Sequence, residues 1–177
     1  MILARRKVLQ LGGCLFAALA LPAYARAADG IFDIEMAGSA NGGRVWFTPV
    51  GVLIRPGQTV RWTNRDTTNA HTATAYHPDN YHRERRMPRA APAWDSGYLL
   101  PGDSFTVVFT VPGIYDYYCL PHEMAGMVGR IVVGMPSLAG GDWNPDQQSD
   151  MPDAAFNALP NVTDILNRGA VERRVTD

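Results

Sequence analysis

The segment from Tyr115 to Met127 reads YDYYCLPHEMAGM, and it decides both the fold and the chemistry expected of the chain. It places a thiol at Cys119, an imidazole at His122 and a thioether at Met127 within one short stretch. These are soft or borderline donors that suit copper, and one type of trigonal copper site uses two His, one Cys and a weak axial Met. The segment supplies three of these four ligands, so a second histidine must come from elsewhere in the chain.

The remaining histidines are His71, His77 and His82. A rigid trigonal site needs ligands on a fixed backbone, which favours a histidine at the end of a strand over histidines in a loop. His71 begins a predicted strand, whereas the other two lie in or beside a proline-rich loop. We therefore predict His71 as the fourth ligand.

Two methionines compete for the axial position. Met127 leads into Gly129 and the last predicted strand, which would aim its side chain inward, whereas Met124 lies in the middle of the loop. We predict Met127 as the ligand and Met124 as a surface residue beside the site. Cys119 alone could be an inert buried thiol, but the combination of donor types favours a metal site.

Residues 30–135 consist of short predicted strands separated by turn signals such as Pro56-Gly57 and Pro112-Gly113. Several of the runs alternate apolar and polar residues, as half-buried strands do, and no helical period is visible. Many short strands at this spacing are typical of a β-sandwich. The predicted strands cover residues 30–36, 44–48, 52–55, 59–64, 71–76, 104–111, 114–119 and 129–133.

A long loop separates Tyr76 from Ser104, and the prolines distributed through it argue against a hidden helix. Loops of this length are usually functional or mobile. Residues 82–89 of the loop read HRERRMPR and concentrate arginines. This stretch is either a solvated loop or a docking patch for an acidic partner.

The chain becomes acidic after Met135, and residues 136–160 are predicted to be loop-like. Residues 161–168 fit a short amphipathic helix that ends at Gly169, with Val162, Ile165 and Leu166 on one face. We expect this acidic C-terminal extension, residues 136–177, to pack on the edge of the sandwich or to be partly disordered.

Residues 1–27 have the pattern of a signal peptide: a basic start, an apolar run and an A-x-A cleavage site at Ala25-Arg-Ala27. The pair Arg5-Arg6 fits a twin-arginine signal, and ordinary Sec export is the alternative. The apolar run is too short for a membrane span. We therefore predict export to the bacterial periplasm and a mature domain over residues 28–135.

Removal of residues 1–27 leaves 12 basic against 17 acidic side chains, a formal charge of −5, which argues against a nucleic-acid partner. The same cleavage removes Cys14 and leaves Cys119 without a disulfide partner. A lone cysteine in an oxidising compartment is either a buried inert thiol or a functional one.

At this point the residues resemble the cupredoxins, the type I blue copper proteins, and among them the plastocyanin and pseudoazurin type. The spacing Cys-x2-His-x4-Met is that of the plastocyanin-like loop. The chain departs from the family pattern in the longer loop at residues 77–93 and in the extension. The ordered elements of the resemblance are Phe47-Thr-Pro49, Ile54-Arg-Pro-Gly57, Val60-Arg-Trp-Thr-Asn64, Asp66, His71-Thr72, Asp95-Ser-Gly97, Pro101-Gly102, Phe105, Phe109, Gly113-Ile-Tyr115, Tyr117, Cys119, His122, Gly126-Met127 and Gly129.

The resemblance implies an all-β, antiparallel Greek-key β-sandwich with one type I copper ion near one end. It implies that His71, Cys119, His122 and Met127 hold the ion. The protein would then carry single electrons between redox partners, such as a periplasmic cytochrome or an oxidoreductase. It would be a monomer, not an enzyme, and without stable membrane insertion. Partners would dock on small apolar groups around the His122 ring, namely Leu120, Pro121, Met124 and Ala125.

Two alternatives remain open from the sequence. A copper-binding or delivery protein could use Met87, His77 and His82 as a transfer path. A mononuclear copper enzyme would need Glu123 or His82 in place of Met127, with an open position for substrate.

Overall fold

The structure is a computed structural model that describes residues 30–135, 143–148 and 150–173. The predicted signal peptide over residues 1–27 lies outside the described residues. Over the described ranges, no helix has the length and apolar character needed to cross a membrane.

Two β-sheets enclose one hydrophobic core, as the sequence predicts. The first sheet has the strand order β2-β1-β4-β6, and the second has the order β5-β7-β8-β3-β9. The strands are β1 (Phe32–Gly38), β2 (Val45–Thr48), β3 (Gly51–Ile54), β4 (Gln58–Asn64), β5 (Thr74–Ala75), β6 (Ser104–Phe109), β7 (Gly113–Tyr118), β8 (Val128–Val133) and β9 (Ala170–Val171). A 3₁₀ helix spans Leu120–Ala125, and the α-helices are α1 (Asp153–Ala158) and α2 (Val162–Arg168).

Consecutive strands often lie in different sheets, so the chain crosses repeatedly over the core. Most neighbouring strands are antiparallel, whereas β1 pairs with β4 and β3 pairs with β8 in parallel. The sheets are therefore mixed rather than wholly antiparallel. The predicted Greek-key β-sandwich is otherwise confirmed.

The core follows from the alternation of residues along the strands. In β1, Ile34 and Met36 are buried, while the alternating acidic residues Asp33 and Glu35 face solvent. Trp62 of β4 lies edge-on to Tyr117 of β7, with ring centroids 5.3 Å apart, and stacks near Trp94 at 6.1 Å. Aromatic pairs at such distances add specific contacts to area burial, so they hold the two sheets in one relative position.

The strand predicted over residues 71–76 is much shorter in the structure. Thr74–Ala75 pairs with β7, and His71 makes only an isolated bridge to Leu99. The backbone N–H of His71 donates to Leu99 O at 3.1 Å, and Leu99 N–H donates back at 2.8 Å. His71 is therefore fixed by the segment before β6. The local sequence pattern did not reveal this pairing.

The C-terminal extension covers the outer face of the second sheet. Every residue of β8 is buried, which explains why its sequence is not alternating. The predicted helix is present as α2, with Val162 and Ile165 buried against the sheet. Asn161 caps its N-terminus and Gly169 ends it, and the following strand β9 pairs with β3.

Helix α1 contradicts the expectation of a loop over residues 136–160. The helix has six residues and too short a periodic pattern to be recognised in the sequence. Its stability comes from packing, since Ala155 is fully buried in a cluster with Tyr76 and Tyr118.

The arginine-rich stretch of the long loop is neither fully solvated nor an open docking patch. Arg86 is buried, and its Nε donates to Asp116 at 2.9 Å. Arg130 of β8 binds both carboxylate oxygens of the same aspartate, at 2.7 and 2.9 Å. The two arginines also donate to the Pro145 carbonyl, each at 3.1 Å, so the ion-pair cluster attaches the extension to the sandwich.

Candidate metal centre

The loop between β7 and β8 brings three of the predicted ligands together. Cys119 follows β7, His122 lies in the 3₁₀ helix, and Met127 comes directly before β8. The Cys119 N–H donates to Met127 O at 2.9 Å, and the His122 N–H donates to Cys119 O at 3.0 Å. Met127 N–H donates to His122 O at 3.1 Å, so backbone hydrogen bonds fix the three residues in one tight turn.

His71 reaches the same point from another part of the chain. The two histidine Nδ1 atoms are 3.2 Å apart, and Cys119 Sγ lies 3.4 Å from His122 Nδ1 and 3.6 Å from His71 Nδ1. No other cluster of three or more His, Cys, Asp or Glu with metal-binding spacing occurs among the described residues.

This triangle of donor atoms fits a metal ion. With sides of 3.2, 3.4 and 3.6 Å, its centre lies about 2 Å from each corner, close to ordinary metal–nitrogen and metal–sulfur bonds of about 2.0–2.3 Å. Two imidazoles and one thiolate are the equatorial donors of a trigonal copper site. The donor set and its spacing therefore fit copper.

Burial differs among the predicted ligands. His71, Cys119 and Met127 have no exposed surface, whereas His122 is half-buried. Met124 is 76% exposed, so Met127 is the inward-facing member of the methionine pair. His122 is the part of the donor set that reaches solvent.

Asp66 orients His71. Its Oδ2 lies 3.0 Å from His71 Nε2, and an ionised carboxylate can only accept, so the imidazole carries its proton on Nε2 and leaves Nδ1 free to bind metal. Gly38 makes room for this carboxylate, because a Cβ there would lie 2.0 Å from Asp66 Oδ2. Burial alone would raise the pKa of Asp66, but hydrogen bonds from Thr68, Asn69 and His71 together hold it well below its usual range.

Thr72 contacts the ligand loop twice, once at the Cys119 sulfur and once at the Leu120 backbone. Its backbone N–H donates to Cys119 Sγ at 3.3 Å, and its hydroxyl accepts from Leu120 N–H at 2.8 Å. Residue 121 is proline and has no N–H to offer the sulfur. The roles of Asp66 and Thr72 were not predicted from the sequence, although the run from Asn64-Arg-Asp66 to His71-Thr72 contains both residues.

The protonation of the donors suits metal binding. Burial lowers the pKa of His71, against the raising effect of Asp66, and burial also lowers the pKa of His122, with the nearby His71 adding to the effect. Both imidazoles are thus neutral near pH 7. Burial raises the pKa of the Cys119 thiol to about 11, partly offset by the Thr72 N–H, so a metal must displace its proton.

Residues 34–134 match the family model described as copper binding proteins of the plastocyanin/azurin family. The chain belongs to this family. Copper is accordingly its cofactor, held where His71, Cys119 and His122 converge.

Family relatives extend over most of the chain. It is 35% identical to a chloroplastic plastocyanin of Oryza sativa over 66% of this chain and 73% of the relative. A chloroplastic plastocyanin of Tetradesmus obliquus is 32% identical, with 72% of this chain and 81% of the relative covered. The fold is similar to a pseudoazurin from Sinorhizobium meliloti, with a TM-score of 0.55 at 24% identity over 78% of this chain and 97% of that one.

The predicted docking residues lie on the turn that carries His122. Pro121, Met124 and Ala125 are exposed. Leu120 is only half-buried and packs partly against the cluster beneath α1. Leu100, which follows the residue bridged to His71, is 60% exposed.

Proposed function

We propose that the protein carries single electrons, with copper held by His71, Cys119, His122 and Met127. The observation that carries the proposal is the enclosed triangle of one thiol and two imidazoles, of which one ring alone reaches solvent. Copper bound there would supply one-electron chemistry by alternating between Cu(II) and Cu(I). Met127, buried at the same end, is the proposed weak axial ligand.

Burial supports an electron carrier over an enzyme. An enzyme needs an open coordination position that substrate can reach. His71, Cys119 and Met127 have no exposed surface, which excludes a bulky substrate from their side. Glu123, one of the two residues that an enzyme would recruit in place of Met127, is already bound to Tyr76.

Burial also disfavours a delivery protein. Met87 belongs to the hydrophobic core and has no exposed surface, and His77 is only 6% exposed. Neither side chain is presented at the surface for transfer of copper to a partner, which leaves His82 as the one exposed residue of the predicted path. The rigid backbone of the ligand loop likewise favours retention of the ion over its release.

We propose that partners dock where His122 meets the surface, on a patch formed by Pro121, Met124 and Ala125. Small apolar surfaces support brief and weak contacts, which suit electron transfer between proteins. The proposed partners are other redox proteins, such as a cytochrome or an oxidoreductase. The signal-like residues 1–27 support a periplasmic location, and the protein would act as a monomer.

Electron self-exchange between two copies tests the patch without a known partner. Met124→Glu should slow exchange between Cu(I) and Cu(II) forms about tenfold or more, because like charges would meet across the contact. Line broadening of the His122 proton resonances in mixed oxidation states measures the rate. Met135→Glu, at an exposed methionine beyond the far end of β8, is the matched control.

Three outcomes distinguish the possibilities. Slower exchange with an intact copper spectrum supports electron transfer through the patch. An unchanged rate in the Met124→Glu variant would exclude the patch as the contact surface. A bleached spectrum would make Met124 rather than Met127 a ligand.

A further inference from the structure

The ligand loop contains a buried acid, Glu123, directly after His122. Glu123 is 7% exposed, and its Oε1 accepts hydrogen bonds from Tyr76 Oη and Arg83 Nη2, each at 2.6 Å. A buried carboxylate destabilises a protein unless it is paired and hydrogen-bonded. Both partners belong to the stretch that begins at Tyr76, so Glu123 ties the ligand loop to the long loop.

Arg83 connects three parts of the chain. Its guanidinium lies over the rings of Tyr76 and Tyr118, 5.5 and 5.6 Å from their centroids, and Tyr118 directly precedes Cys119. Its Nε is 3.6 Å from Asp150 Oδ2 in the C-terminal extension. One side chain of the long loop therefore contacts the ligand loop, the strand that leads into the sulfur ligand, and the extension.

The backbone before Arg83 adopts an unusual conformation. Tyr81 and His82 have φ angles of 56° and 57°, in the left-handed region that residues other than glycine rarely occupy. Such conformations persist where the surroundings impose them. Here Asn80 donates to Ala75 O at 3.0 Å and to Trp94 O at 2.8 Å, which fixes the segment just before the left-handed pair.

The far end of the ligand loop is held as well. Gly126 ends the 3₁₀ helix with φ 75°, and α1 packs directly over it. A Cβ at Gly126 would lie 2.8 Å from Ala154 O. The extension thus restrains the turn at Gly126, while Arg83 restrains it at Glu123.

We propose that Arg83 is a positioning residue for the copper site: through Glu123 it fixes the turn that carries His122, and it balances the charge of that carboxylate. This inference rests on the proposed ligand set. The long loop and the extension, which depart from the family pattern, then have a common role in the redox properties of the site.

A double-mutant cycle separates two effects of Arg83, that of its charge on the reduction potential and that of its contacts on the position of the turn. Arg83→Gln leaves the Glu123 charge uncompensated and lowers the reduction potential, because added negative charge favours Cu(II). Glu123→Gln raises the potential. The double variant restores the charge balance, so its potential returns towards the wild-type value, but it loses copper to a chelator about tenfold faster because the turn is no longer held.

Two further variants test whether the effects of Arg83 on the copper site arise merely from a general loss of stability. Arg83→Lys keeps the charge but not the planar group that contacts two rings and Asp150, so the potential stays near wild type while copper loss accelerates. Arg61→Gln, which breaks an exposed pair with Asp33, is the control. If Arg83→Gln does not fold, Arg83→Lys and Glu123→Gln carry the test.

Variants that lower only the melting temperature, with potential and copper loss unchanged, would overturn the inference and leave the proposed function intact. A wild-type protein without an intense thiolate-to-copper absorption band would overturn the proposed function itself, and this inference with it.

Discussion

Asp66 is a buried carboxylate that accepts a hydrogen bond from His71, a residue of the candidate metal site. Both of its oxygens accept hydrogen bonds, from Thr68 to Oδ1 and from Asn69 and His71 to Oδ2. A carboxylate on the far nitrogen of a ligating histidine fixes its tautomer and raises its basicity. Asp66 should therefore favour the more highly charged Cu(II) state.

Asp66→Asn should raise the reduction potential. The amide is nearly isosteric but uncharged, so the stabilisation of Cu(II) through His71 weakens; we expect a rise of about 60 mV, a tenfold change in the one-electron equilibrium. Protein-film voltammetry measures it. Asp33→Asn, at an exposed aspartate paired with Arg61, is the control, and equal potentials for the two variants would contradict the role of Asp66.

At the residue scale, the sequence predicted a metal site because one short loop has a distinctive order of donor types, and the axial role of Met127 stays a prediction. Cys119, His122 and the bridge-held His71 converge as predicted. The sequence did not reveal that Thr72 N–H and the Asp66 carboxylate act on these ligands. Those contacts join residues that only the fold brings together, so spacing along the chain carries little information about them.

Among the elements, the long loop shows how burial can oppose local composition. Its arginines and histidines look solvated in the sequence, yet Arg86 and His77 are buried. Helix α2 was predictable because its cap, its apolar face and its terminating Gly169 are all local signals. Helix α1 could not be predicted from local signals, since its stability depends on contacts with residues far away in the sequence.

His77 makes the stability of the long loop pH-dependent. Burial, with Arg85 adding to it and Asp79 opposing it, lowers the pKa of His77. The folded state therefore resists protonation that the unfolded state accepts, and stability falls as pH drops below about 6.5. In the wild type the Asp79 N–H donates to His77 Nδ1 at 3.1 Å. His77→Asn removes the titrating group but retains an acceptor for this N–H.

We expect the wild type to lose more unfolding free energy than His77→Asn between about pH 7 and pH 5. Urea titrations of the copper-free proteins at each pH give the difference. His82→Gln, at an exposed histidine of the same loop, is the control. Parallel pH profiles for wild type and His77→Asn would contradict the contribution of His77.

For the whole molecule, the buried cluster of Arg86, Asp116 and Arg130 joins the second sheet to both added segments. Arg130 Nη1 donates to Pro160 O at 3.0 Å, and each arginine donates to Pro145 O. Asp116 is the acid that both guanidinium groups contact, and it has no exposed surface. The extension is therefore part of the folded body over its described residues, not an appended tail.

Asp116→Asn should destabilise the protein by about 3–5 kcal/mol, because it leaves two buried guanidinium groups without their shared charge partner. Urea denaturation measures the loss. Asp164→Asn breaks an exposed pair with Arg168 and should cost less than about 0.5 kcal/mol. A loss below about 1 kcal/mol for Asp116→Asn would show that the cluster does not hold the extension in place.

The visible absorption and EPR spectra of residues 28–177 loaded with Cu(II) test the proposed copper site most directly, with Cys119→Ser as the control. An intense red-region thiolate-to-copper band with narrow copper hyperfine splitting, lost in Cys119→Ser, is the predicted result. A weak band with ordinary tetragonal splitting would contradict the trigonal site of His71, Cys119 and His122 with axial Met127.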